Sequence, residues 1–235
     1  MLNVNNSKAF VKAMAAMALA AAAALFACSC NNTQVTVQKT SAAYLITQPI
    51  LLITPISNLQ GADRTCDSLG NYFQIETQKR VKGTVKYSKE VPGLSGLATF
   101  GNLVKNGDIN TNEAAAMAKT IGCQSVIVIQ VVEYKQYPPF KMVVAMHWID
   151  ADTGNTIGKV YNDVDTSDSQ INYRYKCFSG QGPLKEIYEE FQFSEDLYQT
   201  ASLMPEKFKL FVATFTANVM FKTAEDSSWQ FWRIL

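Results

Sequence analysis

The sequence contains a single histidine, and this scarcity restricts the chemistry that the chain can perform. His147 lies in an apolar run and precedes Trp148, which is typical of a structural histidine in a strand. A serine triad would depend on this one residue, and no Gly-x-Ser-x-Gly motif supplies a nucleophile. We therefore expect a protein that is not an enzyme. A hydrolase remains the alternative that loss of an activity on replacement of His147 would support.

Clusters of metal ligands and nucleotide-binding motifs are also missing from the sequence. The cysteines that follow Cys30 are far apart, whereas zinc sites usually draw on closely spaced cysteines and histidines. Asp150 and Asp152 flank a turn, where Asp is favoured for backbone reasons, and no EF-hand spacing follows them. The sequence predicts no metal and no cofactor. A Cys66–Cys177 disulfide is conceivable, and Cys123 is expected to be a small apolar core residue.

Charge of one sign is lacking as well. The chain has 21 basic and 20 acidic residues, and only 17% of its residues are charged. Proteins that bind nucleic acid through phosphate contacts carry a clear basic excess. The composition therefore argues against a nucleic-acid partner.

The N-terminus, in contrast, carries a clear pattern. Lys8 and Lys12 precede an apolar run from Ala13 to Ala27, which ends at Cys28. A basic start, a short apolar core and small residues at its end are typical of a secretory signal. The run has about 15 residues, fewer than the roughly 20 that span a bilayer comfortably. We predict that residues 1–27 form a signal peptide.

The signal ends in a sequence typical of a lipoprotein. Leu25-Phe26-Ala27-Cys28 resembles a lipobox, in which Cys28 would be acylated and become the mature N-terminus. Phe26 departs from the small residue usual at its position, so Cys30 is the second choice for lipidation. A plainly cleaved secreted protein and an uncleaved anchor are the other two interpretations. The predicted partner of this end of the chain is a lipid membrane.

The mature chain divides into three parts. Residues 28–44 are predicted to be the lipidated N-terminus and a flexible tether, because the stretch from Asn31 to Ser41 is rich in Thr, Asn and Gln. Residues 45–223 are predicted to form one α/β domain, within which residues 166–203 are an irregular extension. Residues 224–235 form an aromatic C-terminal tail.

The domain is organised around one helix and three strands. Asn110 precedes Glu113 by three residues, a capping-box spacing, and Gly122 follows the helix that this cap would start. The run from Val126 to Val132 is apolar on both strand faces, which favours a central strand covered on both sides. A hairpin of residues 140–150 and 156–165 follows, with its last strand predicted at an edge.

The remaining elements complete the predicted fold class. Residues 50–53 form a first strand, residues 84–91 an edge strand, and a helix that starts at Pro205 packs against the sheet. The sequence predicts an α/β (α+β) fold: a mixed β-sheet of about five strands with helices packed on it, in a single domain.

These elements carry a resemblance to a known group of proteins. Its residues are Ile121-Gly122-Cys123, Ser125-Val126-Ile127-Val128, Tyr134, Tyr137-Pro138-Pro139 and Ile149-Asp150-Ala151-Asp152-Thr153-Gly154. Together they resemble bacterial envelope lipoproteins of the group formed by the curli-secretion lipoprotein CsgG, the TolB N-terminal domain and the LpoB-type activators of penicillin-binding proteins. The resemblance implies a CsgG/TolB-N-like fold for roughly residues 49–165. Members of the group serve in secretion, transport and cell-wall synthesis.

Aromatic residues in the last third of the chain form the candidate interaction surface. They are Tyr173, Tyr175, Tyr188, Trp229, Phe231 and Trp232. If exposed, such residues mark a site of contact with another molecule, although the tail can also fold back on its own domain. A pocket lined by the tyrosines would indicate a small-ligand or glycan-binding module instead.

The sequence thus predicts a membrane-anchored, non-catalytic lipoprotein of the cell envelope. It would be held by lipid at the outer membrane, facing the periplasm, and would act as an accessory or scaffold for an unidentified envelope protein. A homo-oligomer is possible. A channel-forming secretion subunit is the other alternative, but it would need two long hairpins of alternating apolar residues that the sequence does not convincingly supply.

Overall fold

The computed structural model describes residues 33–94, 96–179 and 203–225. The helices in these ranges are α1 (Lys39–Leu45), α2 (Asp63–Gln78), α3 (Phe100–Leu103), α4 (Thr111–Thr120), α5 (Ser169–Phe178) and α6 (Pro205–Glu225). The strands are β1 (Thr33–Val37), β2 (Ile50–Leu52), β3 (Ile56–Ser57), β4 (Val85–Tyr87), β5 (Val104–Lys105), β6 (Asp108–Ile109), β7 (Ser125–Lys135), β8 (Lys141–Asp150) and β9 (Thr156–Asp165).

The main sheet is mixed, as the sequence predicts, but it is larger than expected. Its order is β1-β9-β8-β7-β2-β4, and β3 pairs with the far part of β7, so that seven strands are joined rather than about five. β7 is parallel to β2 and antiparallel to β8. The strands absent from the prediction, β1 and β3, are short, and β3 follows directly on Pro55.

β7 occupies the centre of the sheet because every position in its first half is apolar or small. Ile127 and Ile129 belong to a core shared with α2 and α6, whereas Val126 and Val128 belong to a second core shared with α4. All four side chains are fully buried. A strand that is apolar on both faces needs cover on both faces, and the helices provide it.

The helix that precedes β7 has the predicted boundaries. The Asn110 side chain accepts a hydrogen bond of 3.5 Å from the Glu113 backbone N–H, so that Asn110 is the N-cap. Gly122 has φ +70°, the left-handed conformation that ends a helix at low steric cost. These two local signals confirm the predicted helix.

α6 closes one face of the sheet, which confirms the helix predicted to start at Pro205. Phe208, Val212 and Val219 are buried in the core beneath it. Phe221 packs edge-to-face on Trp148, with ring centroids 5.5 Å apart. The helix also contacts α2, β9 and β1. It therefore holds together elements from both ends of the domain.

The predicted tether is wrong from Thr33 onward. Residues 33–37 form β1, which pairs antiparallel with β9, and residues 39–45 form α1. In β1 the side chains alternate: Val35 and Val37 pack against the core, whereas Gln34 is exposed. The polar composition conceals this period of two, which is the signal of a strand. Residues 33–45 accordingly belong to the folded domain, which the prediction starts at residue 45.

The prediction that β9 lies at an edge is also wrong, since β1 covers it. Its polar residue Asn162 is fully buried, where it accepts a hydrogen bond from Thr33 and donates one to Thr216. Among the described strands, β1 and β4 end the strand order of the main sheet, so the edge position predicted for residues 84–91 is confirmed for Val85–Tyr87; residues 88–90 form a 3-10 helix instead of continuing the strand.

The irregular extension predicted at residues 166–203 begins with a regular helix. The Asp168 side chain accepts hydrogen bonds from the backbone N–H groups of Gln170 and Ile171, and α5 follows. Residues 180–202 and the predicted tail from residue 226 onward lie outside the described residues.

Candidate functional site

The two candidate lipidation residues, Cys28 and Cys30, lie outside the described residues. The number of residues between Cys28 and β1 limits the distance at which Cys28 can lie from the folded domain. Thr33 is the first residue of β1 and stands five positions after Cys28. Even a fully extended chain covers only about 3.3–3.6 Å per residue, so Cys28 can be no more than about 17 Å from Thr33.

Strand register shows in which direction the chain enters the sheet. Thr33 pairs with Asn162, and Asn162 pairs with Val144. From Val37 to Thr33, β1 runs toward the rows in which Asp165 pairs with Lys141. We call this side of the sheet the loop end; it comprises the end of β9, the start of β8 and residues 136–140, which join β7 to β8.

Large apolar side chains are exposed at the loop end. Tyr137 is 68% exposed, and Leu203 and Met204, which lead into α6, are 58% and 48% exposed. The start of α6 is fixed there because Phe208 stacks on Phe140 of the connecting loop, with ring centroids 5.1 Å apart. At the opposite end of the sheet, the β8–β9 turn exposes only polar side chains, those of Asp152, Thr153 and Asn155.

Tyr175 does not belong to an interaction surface, contrary to the prediction. It is 2% exposed, and its ring packs against those of Phe140, Phe208 and Phe211. Its hydroxyl donates a hydrogen bond of 3.3 Å to the Met204 backbone oxygen. Burial raises the pKa of Tyr175 to about 12. The residue is part of the core because it lies one turn after Ile171 on the inward face of α5.

Tyr173 lies on the outer side of the same helix and is 50% exposed. A hydrogen bond with the Cys177 side chain raises the pKa of Tyr173. The other members of the predicted surface, Tyr188, Trp229, Phe231 and Trp232, lie outside the described residues. The structure thus separates Tyr173 and Tyr175, which the prediction had placed on one surface.

The cysteines of the described ranges are unpaired, which rules out the conceivable Cys66–Cys177 disulfide in this structure. Cys66 and Cys123 are buried, and Cys177 is partly exposed. Burial raises the pKa of Cys66 to about 11, with the negative charges of Asp63 and Asp67 acting in the same direction. A thiol of such high pKa is a poor nucleophile at neutral pH. Cys123 is the small core residue that the sequence predicts.

His147 is held in the sheet as a neutral side chain. It is 8% exposed in the middle of β8. Burial lowers the pKa of His147 to about 4; the positive charge of Lys159 on β9 acts in the same direction, and Asp108 opposes them. An imidazole of this pKa is a weak general base at neutral pH, where catalytic bases have pKa values near the working pH.

A hollow of about 460 Å³ lies between α2 and β4, at the edge of the sheet. Gln74, Ile75, Gln78, Lys79 and Val85 line it. Neither Tyr173 nor Tyr175 contributes to it.

Two further features are absent from the described ranges. They contain no group of three or more His, Cys, Asp or Glu side chains arranged to hold a metal ion. No helix within them is both long and apolar enough to cross a membrane.

Comparisons with known proteins give similarities in structure only. No protein-family model matches the chain, and no curated protein does. The protein is similar to the PelC dodecamer from Paraburkholderia phytofirmans, with TM-score 0.40 and 11% identity over 76% of this chain and 94% of that one. It is also similar to lipoprotein GNA1162 from Neisseria meningitidis, with TM-score 0.40 and 12% identity over 57% and 96% of the two chains. A third similar structure is the LpoB C-terminal domain from Escherichia coli, with TM-score 0.34 and 14% identity over 55% and 95%.

Proposed function

We propose that this protein is a membrane-anchored, non-catalytic lipoprotein of the cell envelope. Cys28 carries the lipid, and the domain from Thr33 onward is held at the outer membrane, facing the periplasm. There it acts as an accessory or scaffold in an envelope protein assembly that serves secretion, transport or cell-wall synthesis.

One observation carries this proposal: a lipobox-like sequence stands only five residues before the first strand of a folded domain. The apolar run that ends at Cys28 is typical of an export signal, and its length suits a signal rather than a membrane span. Acyl chains stabilise membrane association by about 0.8 kcal/mol per buried methylene group, so a multiply acylated cysteine suffices as an anchor. The resemblance of residues 49–165 to envelope lipoproteins supports the same function.

The domain offers surfaces for a protein partner in place of a catalytic site. β1 and β4 are the edges of the main sheet within the described ranges. Edge strands present backbone N–H and C=O groups that a strand of another protein can pair with. β1 has no charged residue or proline, the two features that commonly block such pairing. The partner is an envelope protein or a second copy of this chain.

Fatty-acid labelling tests the anchor. Cells that express the full chain are grown with radioactive palmitate, and the protein is then isolated and analysed by electrophoresis. We expect label in the wild type and in Cys30→Ala, and none in Cys28→Ala. Cys30→Ala is the matched control because it removes the neighbouring thiol and leaves the proposed site intact. Equal label in Cys28→Ala would contradict the proposal.

Membrane separation tests the location. After density-gradient separation of envelopes, we expect the wild type in the outer-membrane fractions and Cys28→Ala in the soluble periplasmic fraction. Recovery of the wild type in the cytosol with residues 1–27 still attached would overturn the whole proposal.

A further inference from the structure

We propose that the loop end of the sheet lies against the lipid surface, with Tyr137 and Met204 at the level of the lipid headgroups. This inference rests on the proposed function, since it requires the anchor at Cys28. It adds to that function an orientation of the domain and the residues that contact lipid.

The short connection to the anchor restricts the orientation. Cys28 lies within about 17 Å of Thr33, as the length of an extended chain requires. From the row of Thr33, the loop end is three residue rows away, at Asp165 and Lys141, which corresponds to about 10 Å. In the other direction Asp150, at the end of β8, is six rows away, which corresponds to about 20 Å. Of the two ends of the sheet, the loop end alone lies within reach of a surface that holds Cys28.

The direction of the chain agrees with the distances. Antiparallel pairing with β9 makes the path from Val37 to Thr33 run toward the loop end. The first described residue of the chain therefore stands nearer to the loop end than to the β8–β9 turn.

The chemistry of the exposed side chains suits the lipid interface. Tyr137 combines an apolar ring with a polar hydroxyl, and such rings prefer the boundary between headgroups and hydrocarbon. Met204 and Leu203 add exposed apolar surface at the same end of the domain, where Phe208 stacks on Phe140. The β8–β9 turn at the opposite end exposes only polar side chains, among them Asp152 and Thr153, although Tyr44 of α1, before the start of β2, is 61% exposed.

Contact through the edge of β1 is the other orientation that the short connection permits. It would turn the unpaired backbone groups of that strand toward the membrane, where hydrocarbon cannot form hydrogen bonds with them. Its exposed side chains, Gln34 and Thr36, contribute no apolar surface of comparable size. The loop end is therefore the favoured contact.

Photo-crosslinking of the lipidated full chain tests the orientation. Tyr137, Met204 and, as a control, Thr153 are each replaced by benzoylphenylalanine, and the protein is reconstituted into vesicles of phosphatidylethanolamine and phosphatidylglycerol. All three positions are exposed, so the fold should tolerate the probe, and a thermal melt checks that it does. After irradiation, we expect about tenfold more lipid adduct at positions 137 and 204 than at 153, because only the first two reach the interface.

The possible outcomes separate this inference from the function on which it rests. If Cys28 incorporates palmitate but position 137 gives no more lipid adduct than position 153, the orientation is wrong and the anchor stands. A crosslink from position 137 to a second copy of the chain, in place of lipid, would also overturn the orientation. If Cys28 takes up no palmitate, both proposals fail.

Discussion

The hydroxyl of Thr33 donates a hydrogen bond of 2.9 Å to the Oδ1 atom of Asn162. The amide nitrogen of Asn162 in turn donates a bond of 2.9 Å to the hydroxyl of Thr216. One buried side chain therefore connects the first strand of the domain to its last helix. Asn162 forms a hydrogen bond with one hydroxyl from β1 and one from α6, in a region otherwise filled by apolar side chains.

We expect Asn162→Ala to destabilise the domain by roughly 1–3 kcal/mol, because it leaves the buried Thr216 hydroxyl without its donor and removes a bond to β1. Urea unfolding followed by circular dichroism measures the change. Asn155→Ala in the exposed β8–β9 turn is the control, with an expected change within about 0.5 kcal/mol. Equal effects of the two substitutions would contradict the role of Asn162.

A second prediction concerns the ion pairs at the end of α2. Arg80 binds Glu76 at 2.6 Å and donates to the Asn218 side chain of α6 at 2.8 Å, while Lys79 binds the other oxygen of Glu76 at 2.7 Å. Burial alone would raise the pKa of Glu76, but the hydrogen bonds from Lys79 and Arg80 outweigh burial and lower it. The basic residues at this helix end thus have structural partners.

Arg80→Ala should destabilise the domain by roughly 2–4 kcal/mol, since it leaves the buried carboxylate of Glu76 with the exposed Lys79 as its one remaining cationic partner among those described. The Lys79 side chain is 61% exposed, so Lys79→Ala should change stability by less than about 1 kcal/mol. Chemical denaturation of both variants at one ionic strength gives the comparison. A loss of stability in Lys79→Ala as large as that in Arg80→Ala would show that the buried Arg80–Glu76 contact contributes no more to stability than the exposed Lys79–Glu76 contact.

A third prediction concerns the pH dependence contributed by His147. Its pKa is about 4 in the folded protein and 6.5 without perturbation, so the unfolded chain binds a proton more readily than the folded one. The stability that this difference contributes is fully present above pH 6.5 and is lost as the pH falls toward 4. Between pH 7 and pH 5 the loss should be roughly 2 kcal/mol.

His147→Gln should lose this dependence, because glutamine does not titrate. The free energies of unfolding of the wild type and the variant are measured at pH 7, 6 and 5, and only the difference in slope is interpreted, since carboxylates titrate in both proteins. Parallel pH profiles would exclude His147 as the source.

The fourth prediction separates two tyrosines of α5. Tyr175→Ala should cost roughly 3–5 kcal/mol, because it removes a buried ring that packs against three phenylalanines. Tyr173→Ala, on the exposed side of the helix, should change stability by about 0.5 kcal/mol or less. Thermal unfolding of both variants distinguishes them, and a Tyr175→Ala melting temperature equal to that of the wild type would place Tyr175 outside the core.

The parts of the fold that could be predicted from the sequence are those specified by neighbouring residues. The Asn110 cap, the Gly122 stop and the uninterrupted apolar run of β7 all lie within one short stretch, and each acts locally. Together they define α4 and the central strand. The hairpin of β8 and β9 follows from a polar turn between two apolar runs.

The parts that were missed depend on distant residues. β1 is short and polar in composition, and its partner strand β9 is distant in the sequence. No residue next to β1 therefore indicates that the two strands pair. Tyr175 was assigned to a surface because α5 was not recognised. Asp168 as an N-cap, with Ile171 and Tyr175 four residues apart, is the signal that could have revealed both the helix and its inward face.

Only the anchor at Cys28, of the residues in the candidate site, could be predicted from the sequence. The export signal and Cys28 are read from consecutive residues, whereas Tyr137 and Met204 lie at one end of the domain because α6 docks on the loop between β7 and β8. Their common location depends on the stacking of Phe140 and Phe208, which no local pattern encodes.

The pairing of β1 with β9 also sets the order in which the domain can be completed. Thr33 cannot form its hydrogen bond until Asn162, which is 129 residues further along the chain, has been synthesised. At a synthesis rate of about 5–20 residues per second, the partner strand emerges roughly 6–26 seconds later. During that interval residues 33–37 have no partner strand to pair with. In the nascent chain they therefore remain accessible to other proteins.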